Sequence, residues 1–322
     1  MGTRLYAKGI FINRCFDELN LSAPHLVGEI HSEYVEAGAD ILETNTFGAN
    51  RFKLEPYGLA EKLPDILSEG VRLAREAAGS ERLVAGAVGP LGSHAASGDL
   101  ENDEVVRIYR EIVKILAEAG ADFVLFETFR DMREMRLACE AARSACDLPV
   151  ALQAAPPADE MDWPAFLARY LDTVNLAQPD VVGCNCGTGP RGMLTCLEDL
   201  QDKVAQPLSM QPNAGDPQVI EGRTLYLATP EYIAEFSRRM IQQGARIVGG
   251  CCGTGPEHTR AVREAVRSLQ PVSPDGRPAP SIEVVQEAPE GMEPTPVAQR
   301  STFASKLGKQ YVAAVELDPP RG

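Results

Sequence analysis

Nowhere in this sequence do about 18 apolar residues run together, so it offers no transmembrane helix. The N-terminus, MGTRLYAKGIFINRCF, lacks the long apolar core and small-residue cleavage site of a secretory signal. Basic stretches are missing too. Lys and Arg number 31 against 46 Asp and Glu, a net charge of −15, which argues against nucleic acid or an anionic membrane as partner. No glycine-rich phosphate turn follows an early strand, which counts against a doubly wound nucleotide-binding sheet. What remains is a chain of 322 residues with globular composition, 44% apolar and 24% charged, expected in the cytoplasm. In that compartment eight cysteines suggest metal binding or catalysis before disulfides.

One pattern recurs along the chain: a short apolar run ends in polar or glycine residues, and an amphipathic helical stretch follows. The runs lie at 39–48, 82–90, 121–129, 148–155, 180–187, 207–215 and 245–253. They are apolar on successive residues, as buried parallel strands are. The phrase EAGAD, at 36–40 and 118–122, predicts that a helix stops at Gly38 and another at Gly120. Seven strands, each followed by a helix, predict a (β/α)8 TIM barrel that lacks one strand. The barrel is expected over residues 1–270. Residues 271–300, rich in Pro, Glu, Gly and Ser, read as a disordered, flexible linker, and KQYVAAVELDPPRG after them reads as one more strand.

The chemistry-bearing residues cluster at the ends of the apolar runs, the rim where such barrels place active sites. Two runs end in the same five residues, Cys186 to Pro190 and Cys252 to Pro256, and the second copy carries an additional Cys251. Each proline suits the first turn of the next helix. Three thiolates converging from two strands suit zinc, and three ligands leave a position open for water or substrate. A thiol bound there would be deprotonated, and methyl transfer to sulfur needs such a nucleophile.

Alternatives stand beside this reading. Cys184 lies two residues before Cys186 and faces the same way if the strand stays extended, so it could be a fourth ligand of a structural site. Cys251 and Cys252 would point apart in a regular strand, and Gly249 and Gly250 could let the backbone bend. Cys15, Cys139, Cys146 and Cys196 read as small buried hydrophobes. Glu127 ends an apolar strand and needs a partner, either a substrate ammonium or a neighbouring arginine. Glu43, Thr44 and Asn45 could hydrogen-bond substrate or cap the following segment, and Asn213 is similar. His25, His31, His94 and His258 read as surface or helix residues, with only His258 near the site.

These motifs resemble the homocysteine S-methyltransferase family over about residues 1–270. They are MGT at the start, ETNTFGAN (43–50), GAVGPLG (86–92), ETF (127–129), GCNCGTGP (183–190), PNAG (212–215) and GGCCGTG (249–255). The resemblance implies a zinc ion on Cys186, Cys251 and Cys252, with Cys184 outside the pattern. It implies Glu127 as the holder of the homocysteine amino group, and Asn213, with Asn185, close to the metal. Thr44 and Asn45 fall in the motif expected to line the substrate. The partners implied are homocysteine and a small methyl donor: S-methylmethionine, methyltetrahydrofolate, betaine or a cobalamin-bound methyl. The family has a strand ending in D-G-A before its MGT, and its absence here accounts for the missing strand.

The tail VAAVELDPPRG resembles the opening strand of methylenetetrahydrofolate reductase, with Glu316 matching its catalytic glutamate. Residues 301–322 are therefore expected to begin a fused reductase domain. Two competing classes remain: a non-catalytic, zinc-stabilised module that binds metal or senses redox state, and a zinc hydrolase, which three cysteine ligands disfavour.

Overall fold

Each apolar run folds as a strand because it feeds two cores at once. The computed structural model describes residues 1–10, 14–92, 100–157, 160–215, 218–220, 223–267, 269 and 312–315. In chain order its elements are α1 (Gly2–Ala7), α2 (Leu19–Ser22), α3 (Pro24–Glu36), β1 (Ile41–Glu43), α4 (Arg51–Leu54), α5 (Leu63–Ala78), β2 (Leu83–Val88), α6 (Asn102–Glu118), β3 (Phe123–Phe129), α7 (Met132–Ala145) and β4 (Val150–Ala154). Then follow α8 (Trp163–Ala177), β5 (Val181–Asn185), α9 (Pro190–Leu200), β6 (Leu208–Gln211), the hairpin strands β7 (Gln218–Ile220) and β8 (Arg223–Leu225), α10 (Pro230–Gln242), β9 (Ala245–Val248), α11 (Pro256–Val266) and β10 (Val312–Val315), with short 3₁₀ turns between some of them.

The seven expected strands are all present and pair in parallel in the order β1-β2-β3-β4-β5-β6-β9. Helices form where apolar residues recur every three or four positions. In α5 the buried face is Leu63, Ile66, Leu67, Gly70, Val71, Leu73, Ala74 and Ala78. The two EAGAD phrases behave as expected: α3 and α6 end just before left-handed Gly38 (φ +94°) and Gly120 (φ +99°).

The sequence reading left one strand position empty and assigned the tail strand to a second module. In the structure β10 occupies that position and closes the barrel between β1 and β9. Ile41 pairs with Ala314, and Ile247 pairs with Val312. The linker at 271–300 and Glu316 lie outside the described residues. Among those residues no helix is long and apolar enough to cross a membrane.

Strand alternation sorts side chains between the two cores. One apolar set, Ile41, Leu83, Ala85, Phe123, Leu125, Ala151, Val181 and Ile247, fills the barrel interior. Residues between them, such as Val84, Val124, Leu152 and Val182, pack outward against the helices. Carried two residues further along, the inward series reaches Glu43, Glu127, Gln153, Gly183 and then Asn185. The interior therefore changes from apolar to polar at its C-terminal end. Its polar side chains bond one another: Gln211 Nε2 donates to Glu43 Oε1 at 2.8 Å and Gln153 Nε2 to Ser209 Oγ at 2.7 Å. His31 lies on a helix, α3, as read, and is fully buried. Burial first, and the chain's amino terminus second, push its pKa down to about 3.

Candidate metal centre

The two cysteine-bearing turns are splinted by the end of β6 and the residues that follow it. Cys186 N donates to Gln211 O at 3.0 Å and Cys251 N to Pro212 O at 2.8 Å. Asn213 N donates to Thr188 O at 3.0 Å and Ala214 N to Cys252 O at 2.8 Å. Four consecutive residues thus tie the GCNCGTGP turn to the GGCCGTG turn. At the other side of the second turn, Gly253 N donates to Thr3 Oγ1 at 3.1 Å, so the MGT motif also braces it.

Neither turn continues its strand. Strand β5 ends at Asn185, and Cys186 enters the left-handed region (φ +56°), followed by Gly187 (φ +74°). A Cβ on Gly187 would stand 2.4 Å from Pro156 O, so only glycine fits this turn. Strand β9 ends at Val248, and Cys251 and Cys252 lie in the turn beyond it. Thr254 closes that turn on Cys251 O through its N–H at 3.1 Å and its hydroxyl at 2.7 Å. Gly249 and Gly250 lie just past the strand end, and neither has positive φ. The left-handed residue is Gly253 (φ +81°). Vicinal cysteines converge here because they sit in a turn, where strand alternation does not apply.

The three sulfurs meet in a buried cluster. Cys186 Sγ lies 3.9 Å from Cys252 Sγ, and Cys251 Sγ lies 3.8 Å from Cys252 Sγ. All three fall within 4.8 Å of one another. Four sulfurs placed tetrahedrally about 2.3 Å from a zinc ion would stand about 3.8 Å apart, so the spacing fits that ion. The donor set fits as well. Burial first, then hydrogen bonds with Cys186 and Cys252, hold the Cys251 thiol well above the ordinary cysteine range. A soft cation bound there would displace those protons into solvent.

Cys184 is not part of the cluster. It lies on the outward face of β5, in the layer packed against the helices that also holds Cys196 of α9, and Cys196 beside it, together with burial, keeps its thiol well above the ordinary cysteine range. The expectation that it could share a face with Cys186 fails because Cys186 has left the strand.

Glu127 is completely buried at the inward end of β3. Asn185 Nδ2 points to its Oε2 at 3.4 Å and donates to Thr128 Oγ1 at 2.8 Å. Asn185 Oδ1 accepts the Thr128 N–H at 2.7 Å. A carboxylate pinned by an amide and a cluster of three thiols therefore share the polar end of one barrel. Residues 1–266 match the homocysteine S-methyltransferase family. The chain belongs to that family.

Relatives extend the comparison. The chain is 33% identical over 289 residues to a methionine synthase of Mycobacterium tuberculosis, covering 84% of this chain and 24% of that protein. A methionine synthase of Mycobacterium leprae is 34% identical over 265 residues, covering 78% of this chain and 22% of that protein. The chain thus spans about a quarter of the length of these curated relatives. Among solved structures it resembles the oxidised form of the homocysteine methyltransferase MmuM from Escherichia coli, with a TM-score of 0.68 at 25% identity, covering 82% of this chain and 93% of that one. The metallated form of the same protein aligns with a TM-score of 0.65 at 25% identity over the same shares.

Other residues singled out in this homocysteine S-methyltransferase family chain divide into two groups. Asn213 is buried, and its Oδ1 has no hydrogen-bond partner, an acceptor left for a ligand. Thr44 and Asn45 are engaged by the scaffold. Thr46 Oγ1 donates to Ala87 O at 2.7 Å, so Thr44 donates to Thr46 Oγ1 while accepting from Ala87 N. Asn45 Nδ2 binds Phe16 O at 2.8 Å and Asn20 Oδ1 at 3.0 Å. These two residues stitch β1 to β2 and to the N-terminal segment.

Sequence reasoning missed two site residues. Gln211 supplies the carbonyl under Cys186 and the amide to Glu43; its place before PNAG was the available signal. Tyr226 packs directly on the three cysteines. It lies in a loop with no chemical motif, and nothing local marks it.

Proposed function

We propose that this chain transfers a methyl group from a small donor to the sulfur of homocysteine, giving methionine, with zinc on Cys186, Cys251 and Cys252. The observation that carries this reading is the set of three buried sulfurs at tetrahedral spacing. A structural centre would take a fourth protein ligand. The nearby candidate, Cys184, faces the outer core and stands outside the cluster, which favours a site open to a substrate sulfur. When bound, zinc would keep a thiol deprotonated at neutral pH.

The chain's own residues bind and orient. Glu127 accepts the ammonium of homocysteine, and Asn185 fixes that carboxylate relative to the cysteine turn. Asn213 Oδ1 offers an acceptor beside the cluster. Burial keeps water from the sulfurs. The new sulfur–carbon bond forms as the bond from methyl to donor breaks, and the thiol proton leaves to solvent. Most of the rate enhancement on this reading comes from proximity and a prepared nucleophile. S-methylmethionine, methyltetrahydrofolate, betaine and methylcobalamin all satisfy this chemistry as donors. The cytoplasmic location, the linker at 271–300 and the reductase-like start at 301–322 with Glu316 belong to the same proposal, on composition and resemblance.

Zinc stoichiometry with X-ray absorption tests it. One zinc per chain is expected, and its shell should gain one sulfur when homocysteine is added. No bound zinc, or four sulfurs before substrate, overturns the reading.

A further inference from the structure

Tyr226 stands over the thiols on a short arch built from backbone bonds. Ala228 N donates to Ala214 O at 2.8 Å, and Ala214 N in turn donates to Cys252 O at 2.8 Å. The arch is also held from α11. Gly255 N donates to His258 Nδ1 at 3.0 Å, so Nδ1 is an acceptor and the ring is neutral, with its proton on Nε2. That Nε2–H points to Ala228 O at 3.1 Å. The arch and the cysteine turn are therefore one hydrogen-bonded unit.

The ring fills a space that residue 253 leaves free. A Cβ on Gly253 would lie 2.3 Å from Tyr226 Cβ and 2.5 Å from its Cγ. Gly253 thus serves two needs, a left-handed turn and room for the tyrosine. Tyr226 is half-buried and packs against Cys186, Cys251 and Cys252. Backbone bonds from Gln211 to Ala214 hold the cysteine turns, and Tyr226, packed on the buried sulfurs, itself stays partly exposed.

We propose that Tyr226 is a positioning residue that covers the solvent side of the three-cysteine cluster and must move aside for an incoming substrate thiol. This deepens the function proposed above and rests on it for the identity of that thiol. The cover has two effects. It shields the sulfurs from reagents in solution, and it adds an opening step before a ligand sulfur can reach the site.

The test uses the full chain with Tyr226→Ala and Tyr226→Phe. Metal-free protein is alkylated with iodoacetamide, and the rate at each cysteine is followed by mass spectrometry. In Tyr226→Ala, alkylation of Cys252 should rise about tenfold, as when a local opening step is no longer needed. Tyr226→Phe keeps the ring and should stay near the parent rate. Cys184 should be unchanged in both. On zinc-loaded protein, loss of metal to a colorimetric chelator should accelerate in Tyr226→Ala alone. The alkylation arm needs no metal, so its result stands even if the zinc reading fails. Equal Cys252 rates in the parent and Tyr226→Ala overturn the proposal. A rise at Cys184 matching that at Cys252 overturns it too, because general loosening would produce it.

Discussion

Asn185 grips Thr128 twice, accepting its backbone N–H at 2.7 Å and donating to its hydroxyl at 2.8 Å. Both Thr128 (φ +63°) and Cys186 (φ +56°) hold left-handed backbones that non-glycine residues rarely adopt. Asn185 sits beside one and bonded to the other, so a single amide joins the carboxylate arm of the site to the thiol arm. Replacing it by the near-isosteric leucine removes both bonds. At roughly 1–3 kcal/mol per buried polar group disturbed, the melting temperature should drop by several degrees. Zinc content should persist while homocysteine affinity falls. Unchanged affinity in a titration would separate Asn185 from the substrate arm.

Glu127→Gln keeps the shape and removes the charge. Loss of a charge-assisted contact is worth roughly 1.5–3 kcal/mol, so the homocysteine dissociation constant should rise by roughly one to two orders of magnitude. Metal stoichiometry should not change, because Glu127 is not among the clustered ligands. Calorimetric titration of both proteins decides the point.

The cysteines should divide three to one. Serine at 186, 251 or 252 removes one of three clustered sulfurs and should abolish stoichiometric zinc binding. Serine at 184 should leave zinc and activity in place, with a modest loss of stability from placing a hydroxyl in the apolar outer core. Metal analysis after dialysis distinguishes them. Zinc lost from Cys184→Ser but retained by any of the other three would reverse the assignment.

Seven strands were legible in the sequence because each is buried on both faces and so reads as an unbroken apolar run. The helix ends were legible from Gly38 and Gly120, and the cysteine turns from the repeated C-G-T-G-P. Details set by a single backbone angle were not. One left-handed residue, Cys186, sends Cys184 to the opposite face from the cluster. Thr44 and Asn45 looked equally suited to substrate or scaffold, since the same polar atoms serve either. Tyr226 lies 40 residues after Cys186 in the chain, and only folding places its ring on the sulfurs. His31 sits in a polar-looking stretch, HSEYVE, and its burial depends on what packs over α3.

His31 makes stability depend on pH. Its folded pKa is about 3 against an ordinary value of 6.5, so the unfolded chain binds this proton first as pH falls. Stability is full above pH 6.5 and declines below it, by up to about 1.4 kcal/mol per pH unit down to about pH 3. Urea denaturation at pH 7 and pH 5 should show this loss in the parent. In His31→Leu the decline between these pH values should be smaller by about 2 kcal/mol. Equal slopes in both proteins would mean that His31 is solvated.

The last strand of the barrel comes from far along the chain. Strand β10 lies 46 residues after the end of α11, yet it pairs in parallel with β1 on one side and β9 on the other. Without it, those two strands would present unpaired N–H and C=O groups, and the interior would open beside Ile41 and Ile247. A chain ending at residue 300 should therefore melt at a lower temperature and aggregate more readily than the full chain. Ala314→Pro gives a sharper test, since proline removes one backbone donor and changes little else in length. It should lower the melting temperature of the full chain and leave that of the shortened chain, which lacks residue 314, as the common baseline. A synthetic peptide spanning 309–318, added to the shortened chain, should restore part of the lost stability in a concentration-dependent way. If truncation and Ala314→Pro both leave the melting curve where it was, β10 contributes nothing to closure, and the seven-stranded sheet is stable with its edges open.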